Sequence, residues 1–424
     1  MSDGFGPDVL LLAQRLPFPP DRGDRITTWN LCRHFLGLGA RLRIGSFLWG
    51  PEDLEGLRRL HALGCEVLAP GLSPRGRKIS CLKEFLRGRP LTLGYFGDRR
   101  LLRSLRDSLR DRRPDLCLAY SSSMGAYLLG LASELEGVPK VMHFAELDSD
   151  KWAQYARNSG PAGRFVYGRE ARLMLRFERR LAAAMDLNLV VSPVEAKLFR
   201  KRIPDIPVSV LPNGVDLEHF RPGPPEEKVP GRLIFTGVMD YLPNVDGVLF
   251  FVRECWPALR ERVPDASFTI VGRNPTPEVR RLGDLPGVVV TGGVPETPPW
   301  FQKACAAVVP LRLARGIQNK VLEAMASGLP VVCTTKAHEG IRAEPGAELL
   351  VADEPSRIVE TLTGLLERPA WAEEVGKRAR ACVERNYDWD RILEGLDRKL
   401  GLLPSGARAG PPPQVSNGGI SPPS

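Results

Sequence analysis

Lys320 and Glu323 stand three positions apart in the run RGIQNKVLEAMASGLP, residues 315–330. That spacing puts an ammonium and a carboxylate side by side on one helix surface, within reach of a diphosphate and of two neighbouring hydroxyls. Val321, Leu322, Met325 and Ala326 recur at core spacing, and Gly328-Leu329-Pro330 stops the run before an apolar stretch. The segment therefore reads as a helix beginning at Asn319, entered through a turn at Gly316. The first N–H groups of such a helix lack partners within it, and with the positive end of the dipole they favour an anion in the preceding loop. Gly316, Ile317, Gln318, Asn319 and Lys320 form a candidate diphosphate cradle, with Glu323 as hydroxyl acceptor for a ribose. An amphipathic helix with a salt-bridged lysine is the plainer alternative.

Three loops that end apolar runs offer further contacts. Gly237 closes Phe235-Thr236-Gly237 and lets backbone approach a phosphate closely, whereas Arg273 in Val271-Gly272-Arg273-Asn274 and Val294 after Thr291-Gly292-Gly293 stand in what could equally be plain turns. After Gly237, Asn244 reads as a helix cap. In the first half, PFPPDRGD at 17–24 places Gly23 and Asp24, then Arg25, at a loop mouth, or is a Pro-rich loop capped by Asp24. His143 ends an apolar run and is the leading candidate for a reaction centre, with Asp148 and Asp150 as alternates; a lone histidine there is also commonly a packed one. Asp148-Ser149-Asp150 has the form of a carboxylate pair that holds Mg²⁺ or Mn²⁺ against a nucleotide. Lys320 at a helix terminus neutralises phosphate without a cation, and Asp148 reads more simply as a helix N-cap, so no metal and no cofactor is expected.

Apolar runs alternating with helical patterns position these residues. Strands are expected at 9–13, 42–47, 66–69, 116–119 and 138–143, then at 233–236, 267–271, 288–291, 306–310 and 331–332, with a helix over 244–263. This is the pattern of two parallel sheets with crossover helices, whose ligands sit beyond the carboxyl ends of the strands. The stretch VSVLPNGVD at 208–216 and the Pro/Glu/Lys-rich segment at 221–231 mark the joint. The expected divisions are 1–207, 208–385, a helix in 386–403 and a Pro/Gly/Ser-rich disordered tail over 404–424.

At 424 residues with 43% apolar composition the chain can bury two cores. Eight cysteines without a CxxC pair argue for buried thiols in a reducing compartment. Neither a secretory signal nor an apolar stretch of the roughly 18 residues that a membrane span needs is visible. The net charge of +9 concentrates in the first half, at Arg75, Arg77, Lys78, Lys83, Arg87 and Arg89 and in RRLLRSLRDSLRDRR at 99–113. Leu101, Leu102, Leu105 and Leu109 share one face of that last run, which suits either a core-facing helix or one lying on anionic lipid. The basic segments lack interleaved aromatics and no recognised nucleic-acid module is visible, so no nucleic-acid partner is expected.

The run from Gly316 through Glu323-Ala324-Met325-Ala326, preceded by Pro212-Asn213-Gly214-Val215-Asp216, resembles the nucleotide helix and interdomain linker of the retaining glycosyltransferase family four, glycosyl transferases group 1. The first glutamate of the usual family pair is replaced by Arg315, and the cations usual after the Gly237 loop are also absent, which throws more weight on Lys320. The resemblance implies an α/β GT-B fold, two Rossmann-like doubly wound domains facing a central cleft, with the C-terminal helix returning to the first domain. It implies transfer of a hexose-type sugar from a nucleoside diphosphate sugar to a hydroxyl, with retention. Gly237, Arg273, Val294 and Gly316 to Lys320 would hold the donor, Glu323 the ribose, and His143 would face the transferring sugar, with Gly23 and Asp24 in a cleft loop. PFPP with RGD, and DSDKWAQYA at 148–156, further resemble sugar transferases of exosortase-type exopolysaccharide systems. They imply a lipid-linked or polysaccharide acceptor, while the thiols and the missing signal point to a cytoplasmic protein and the basic first half allows peripheral contact with anionic membrane. A nucleotide-sugar epimerase of the same fold and a non-catalytic membrane-associated scaffold are the alternatives.

Overall fold

The computed structural model describes residues 6–314 and 316–401; Arg315 and the expected tail at 404–424 lie outside the described residues. The chain divides into two compact units, one comprising Met1–Leu211 with the segment from Leu393 onward, the other Pro212–Ile392.

In the first unit seven strands, β1 (Asp8–Leu12), β2 (Arg41–Gly45), β3 (Glu66–Leu68), β4 (Leu116–Tyr120), β5 (Lys140–Ala145), β6 (Leu187–Val190) and β7 (Ser209–Val210), form one sheet in the order β3-β2-β1-β4-β5-β6-β7. Val9 pairs in parallel with Leu42 on one side and Leu116 on the other. DVLLL and LCLAY are buried at every position, which requires helices on both sheet faces and explains the unbroken apolar runs. The helix Arg99–Asp111 packs Leu101 and Leu105 into this core with no exposure, so its apolar stripe is not available to lipid. From Leu393 the final helix Trp389–Leu400 buries Leu393, Leu396 and Asp397, and Asp397 Oδ1 lies 2.9 Å from His34 Nε2.

The second unit holds β8 (Arg232–Thr236), β9 (Ser267–Val271), β10 (Val288–Gly292), β11 (Ala306–Val309), β12 (Val331–Cys333) and β13 (Leu350–Val351) in the order β10-β9-β8-β11-β12-β13. This repeats the order of the first six strands, and all pairings given for both sheets are parallel. Each unit is thus a doubly wound, Rossmann-like sheet with its topological switch point next to the central strand, between β1 and β4 or between β8 and β11. Together they have the GT-B architecture.

Three expectations change. The strand expected to open the second half is β7, hydrogen-bonded to β6 at the edge of the first sheet, so the division falls after Leu211 rather than after 207. β6 is absent from the expected strands because Asn188 interrupts its apolar run; the buried amide donates to Ala182 O at 3.1 Å. The helix expected over 244–263 is three pieces, Leu242–Phe250, a π segment Phe251–Cys255 and Trp256–Arg262. Pro257 has no N–H for the usual i−4 bond, and the Trp256 N–H reaches back five residues to Phe251 O.

Candidate active site

In the second unit the helix Asn319–Ala326 follows β11 and starts beside the switch point. Gln318 takes the N-cap position without a side-chain cap bond, and its amide donates instead to Gly316 O at 3.2 Å. Gly316 itself adopts φ +67, a conformation that favours glycine, so the turn into the helix depends on it. At the other end Gly328, with φ +70, sends its N–H to Met325 O, closing the helix as the sequence indicated. Ile317 is buried beneath the turn, whereas Gly316, Gln318, Asn319, Lys320 and Glu323 keep part of their surface.

Lys320 lies along the strand that precedes the Gly237 loop. Its Nζ is 4.8 Å from the centre of the Phe235 ring and donates to Asn244 Oδ1 at 2.5 Å. Asn244 Nδ2 donates in turn to Val238 O at 2.9 Å, so one side chain fixes both the lysine and the glycine loop. Asn244 is therefore not the cap expected from sequence. The helix starts at Leu242 with Tyr241 at its N-cap, and Asn244 points inward from the first turn. A side chain on Gly237 would meet Asn244 Nδ2 at 2.6 Å and Lys320 Nζ at 3.2 Å, so glycine keeps this approach open. Gly272 supports it from beneath, with an ideal Cβ only 1.6 Å from Gly237 O. Burial lowers the Lys320 ammonium to about 8 against the pull of Glu323, and burial lifts Glu323 to about 7 against the pull of Lys320.

The neighbouring loops converge on the same strand ends. Gly272 N–H donates to Gly292 O at 3.1 Å and Met239 N–H to Arg273 O at 2.8 Å, tying the β8, β9 and β10 loops together. Arg273 is exposed and its Cβ lies 3.5 Å from where a Gly293 side chain would stand; Val294 is half-buried. Asn213, from the Pro-Asn-Gly turn, donates to Asn319 Oδ1 at 3.3 Å. The two motifs that stand far apart in sequence are thus joined at the start of the nucleotide helix.

In the first unit His143 lies within β5, two residues before its end rather than at the end expected from sequence, with no exposed surface and its ring centre 4.9 Å from that of Tyr120, the planes tilted by 34°. Its Nδ1 accepts the Ala145 N–H at 3.0 Å, so the neutral ring carries its proton on Nε2, which has no formed hydrogen bond. Burial lowers its affinity for a proton to about 4, while the backbone groups of Leu211 and of His143 itself act in the opposite direction. Ser121 and Ala145, at the ends of β4 and β5, hold φ +74 and +61, strained values for non-glycine residues that concentrate at functional strand ends. Asp24 pairs with Arg15 at 3.0 Å and with Arg22 at 2.9 Å, while nothing lies within 4 Å of the position a Gly23 Cβ would take. Arg25 is not at a loop mouth: it is buried against Asp53 at 2.7 Å.

The Asp148 and Asp150 carboxylates are occupied separately. Asp150 accepts from Gln154 at 2.9 Å and from Arg202 at 3.2 Å. Asp148 begins its helix after Leu147, which is the N-cap, so it does not cap as expected; burial raises its pKa and Ser122 is its hydrogen-bonding neighbour. Among the described residues no group of three or more His, Cys, Asp or Glu is arranged to hold a metal ion.

Two family models match in tandem, a glycosyl transferase 4-like domain over residues 22–214 and glycosyl transferases group 1 over residues 230–368. Each match falls on one of the two units, so both halves of the chain are similar to glycosyl transferase domains. The D-inositol 3-phosphate glycosyltransferase of Frankia alni is 30% identical over 220 residues, covering 45% of this chain and 52% of that enzyme. The UDP-Gal:alpha-D-GlcNAc-diphosphoundecaprenol alpha-1,3-galactosyltransferase of Escherichia coli is 26% identical over 252 residues, covering 55% of this chain and 61% of its own length. The chain thus spans between half and two thirds of the length of these relatives. Sucrose-phosphate synthase from Thermosynechococcus elongatus shares the fold, with a TM-score of 0.70 at 18% identity over 93% of this chain and 99% of that one. In this chain the sequence reading missed Asn244 as the lysine's partner and Gly272 as the floor of the loop. Only Asn244 carried a usable signal, a buried polar residue directly after Pro243 in an apolar helix.

Proposed function

We propose that this protein moves a hexose-type sugar from a nucleoside diphosphate sugar to a hydroxyl of a lipid-linked or growing exopolysaccharide intermediate. Transfer proceeds with retention at the anomeric carbon, on the cytoplasmic side and in peripheral contact with the membrane. The observation that carries this reading is the convergence of Gly237, Asn244, Lys320 and the start of the Asn319–Ala326 helix at the second sheet's switch point. Both curated relatives are named as glycosyltransferases, one with UDP-galactose and a diphosphoundecaprenol-linked acceptor, which supports the same classes here.

The donor diphosphate approaches the Gly237 loop, where glycine leaves room for the Asn244 amide and the Lys320 ammonium to lie against the backbone, and Lys320 with the helix N-terminus stabilises the charge that grows as the sugar leaves. Glu323 accepts the ribose hydroxyls. Arg273, exposed beside Gly293, and the backbone near Val294 contact the base or phosphate. No metal takes part in this scheme, because the lysine and the helix terminus supply the positive field. In the first unit, an open recess of about 400 Å³ lined by Leu48, Trp49, Gly50, Gly71, Leu72 and Ser73 suits an acceptor with an apolar part. His143 serves as a neutral Nε2–H donor toward the sugar or acceptor; its full burial means that surrounding side chains move when it does so.

The test incubates the purified protein with UDP-, GDP- and ADP-sugars and a polyprenyl diphosphate saccharide. Release of nucleoside diphosphate only when acceptor is present, with product of the donor's anomeric configuration by NMR, is the expected result. Conversion of the donor alone into an isomer would replace transfer by epimerisation, and inverted product would remove the retaining assignment.

A further inference from the structure

The helix Pro74–Leu86 is built inside out. On one side Arg77, Cys81 and Glu84 share a face through their spacing of four and three residues, and this polar face is the one turned to the protein. Arg77 is buried, donates to Gly97 O at 2.7 Å and to Asp98 Oδ2 at 2.5 Å, and lies 5.6 Å from the centre of the Phe47 ring. Cys81 Sγ donates to Leu91 O at 3.5 Å. The opposite face carries Ile79, Leu82 and Leu86, which are 59%, 59% and 77% exposed. Single exposed leucines are ordinary on a protein surface, but three at i, i+3 and i+7 form a stripe.

A neighbouring helix adds a further exposed apolar side chain. Arg169 of the helix Pro161–Ala183 donates to Phe85 O at 2.9 Å and lies 4.3 Å from the centre of that ring, fixing this helix against the end of the Pro74–Leu86 helix. One turn earlier on the same face stands Phe165, 65% exposed. Lys78, Lys83, Arg87 and Arg89 are exposed and flank the stripe. The single acid of the helix, Glu84, turns away from it, approaching Gly94 and pairing with Arg87 at 3.0 Å and Arg89 at 3.7 Å.

We propose that the apolar stripe Ile79, Leu82 and Leu86 with Phe165 inserts into the headgroup region of an anionic bilayer, the flanking lysines and arginines engaging lipid phosphates. Charge selects this occupant. A second copy placed on the same face would set these cations against their own equivalents, whereas an anionic surface complements both edges of the stripe at once. The docking face is therefore the Pro74–Leu86 helix and not Arg99–Asp111, whose leucines are already in the core. The proposal stands on this face alone and does not require the donor chemistry.

The test sediments the full-length protein with vesicles of phosphatidylcholine alone and with about one third phosphatidylglycerol. Native protein is expected to pellet with the anionic vesicles only, less so as salt rises. Leu82→Ser with Leu86→Ser, and separately Lys83→Gln with Arg87→Gln, are expected each to lower the partition coefficient at least about tenfold. Both variants should keep the native melting temperature and the native response to nucleoside diphosphates, which separates a failed docking face from a failed donor site. Absence of binding by the native chain at low salt, or native binding by both variants, would overturn the proposal. So would a concentration-dependent dimer in light scattering that Leu82→Ser with Leu86→Ser abolishes.

Discussion

Burial sets the working charge of both donor-site groups, Lys320 near 8 and Glu323 near 7, and the two values bracket a narrow window. As pH rises through about 8 the free protein loses the ammonium that a diphosphate needs. As pH falls through about 7 it loses the carboxylate that ribose hydroxyls need. Nucleoside diphosphate affinity should peak between these values, and the alkaline limb should approach a tenfold loss per pH unit, because binding then takes up one proton. Calorimetric titrations from about pH 6 to about pH 9.5 check this, and Lys320→Arg should flatten the alkaline limb. A native profile level through that range would contradict the assignment of Lys320. The same shifts act on stability with definite signs. The lowered lysine penalises folding below about 8 and the penalty fades toward 10.5, while the raised glutamate penalises folding above 4.5 and fully above about 7. Lys320→Met should therefore melt within about 2 °C of the native chain at neutral pH while losing at least about tenfold in nucleotide affinity. Sequence alone shows the lysine and the glutamate; their buried environment, and the Asn244 amide that holds the lysine, come from a helix 76 positions earlier in the chain.

At the scale of elements, two glycines separate packing from permissiveness. Gly272 sits so close to Gly237 O that an added methyl must push the two loops apart, whereas nothing lies within 4 Å of the position a Gly23 side chain would take. Gly272→Ala should cost about 2–4 kcal/mol in denaturant unfolding and abolish nucleotide binding. Gly23→Ala, at the first residue of the helix Gly23–Gly37, should change stability by no more than about 1 kcal/mol. Equal effects of the two would mean that the loop contact is not what glycine protects. Most strands were legible because buried parallel strands are continuous apolar runs, as at 8–12 and 306–309. β13 was not, since Leu350–Val351 has two residues and no periodicity to read, and the π segment was not, since it arises from one missing N–H at Pro257 within an otherwise regular helix. The amphipathic Arg99–Asp111 helix and the inside-out Pro74–Leu86 helix have similar composition; only the structure tells which apolar face is already covered.

Across the whole molecule the two units repeat one strand order, and the group 1 family match falls on the unit that carries Lys320, Glu323 and Gly237. The fold was legible from the alternation of apolar runs and helices, and the glycosyltransferase resemblance from two short motifs, Pro212 to Asp216 and Gly316 to Ala326, which the Asn213–Asn319 hydrogen bond joins at 3.3 Å. What the sequence lacks is any feature that names the sugar: Arg315 replaces the first glutamate of the usual pair, and the loop after Gly237 carries Met239 and Asp240 in place of cations. The central claim is that the second unit binds a nucleoside diphosphate through Lys320 and Glu323. A thermal-shift titration of the purified protein with UDP, GDP and ADP and their sugar conjugates, first without metal and then with Mg²⁺, tests it most directly. A saturable rise in melting temperature with one of these nucleotides, equal with and without Mg²⁺ and lost in Lys320→Met and Glu323→Gln, is the predicted result; no shift with any of them, or an unchanged shift in both variants, would contradict it.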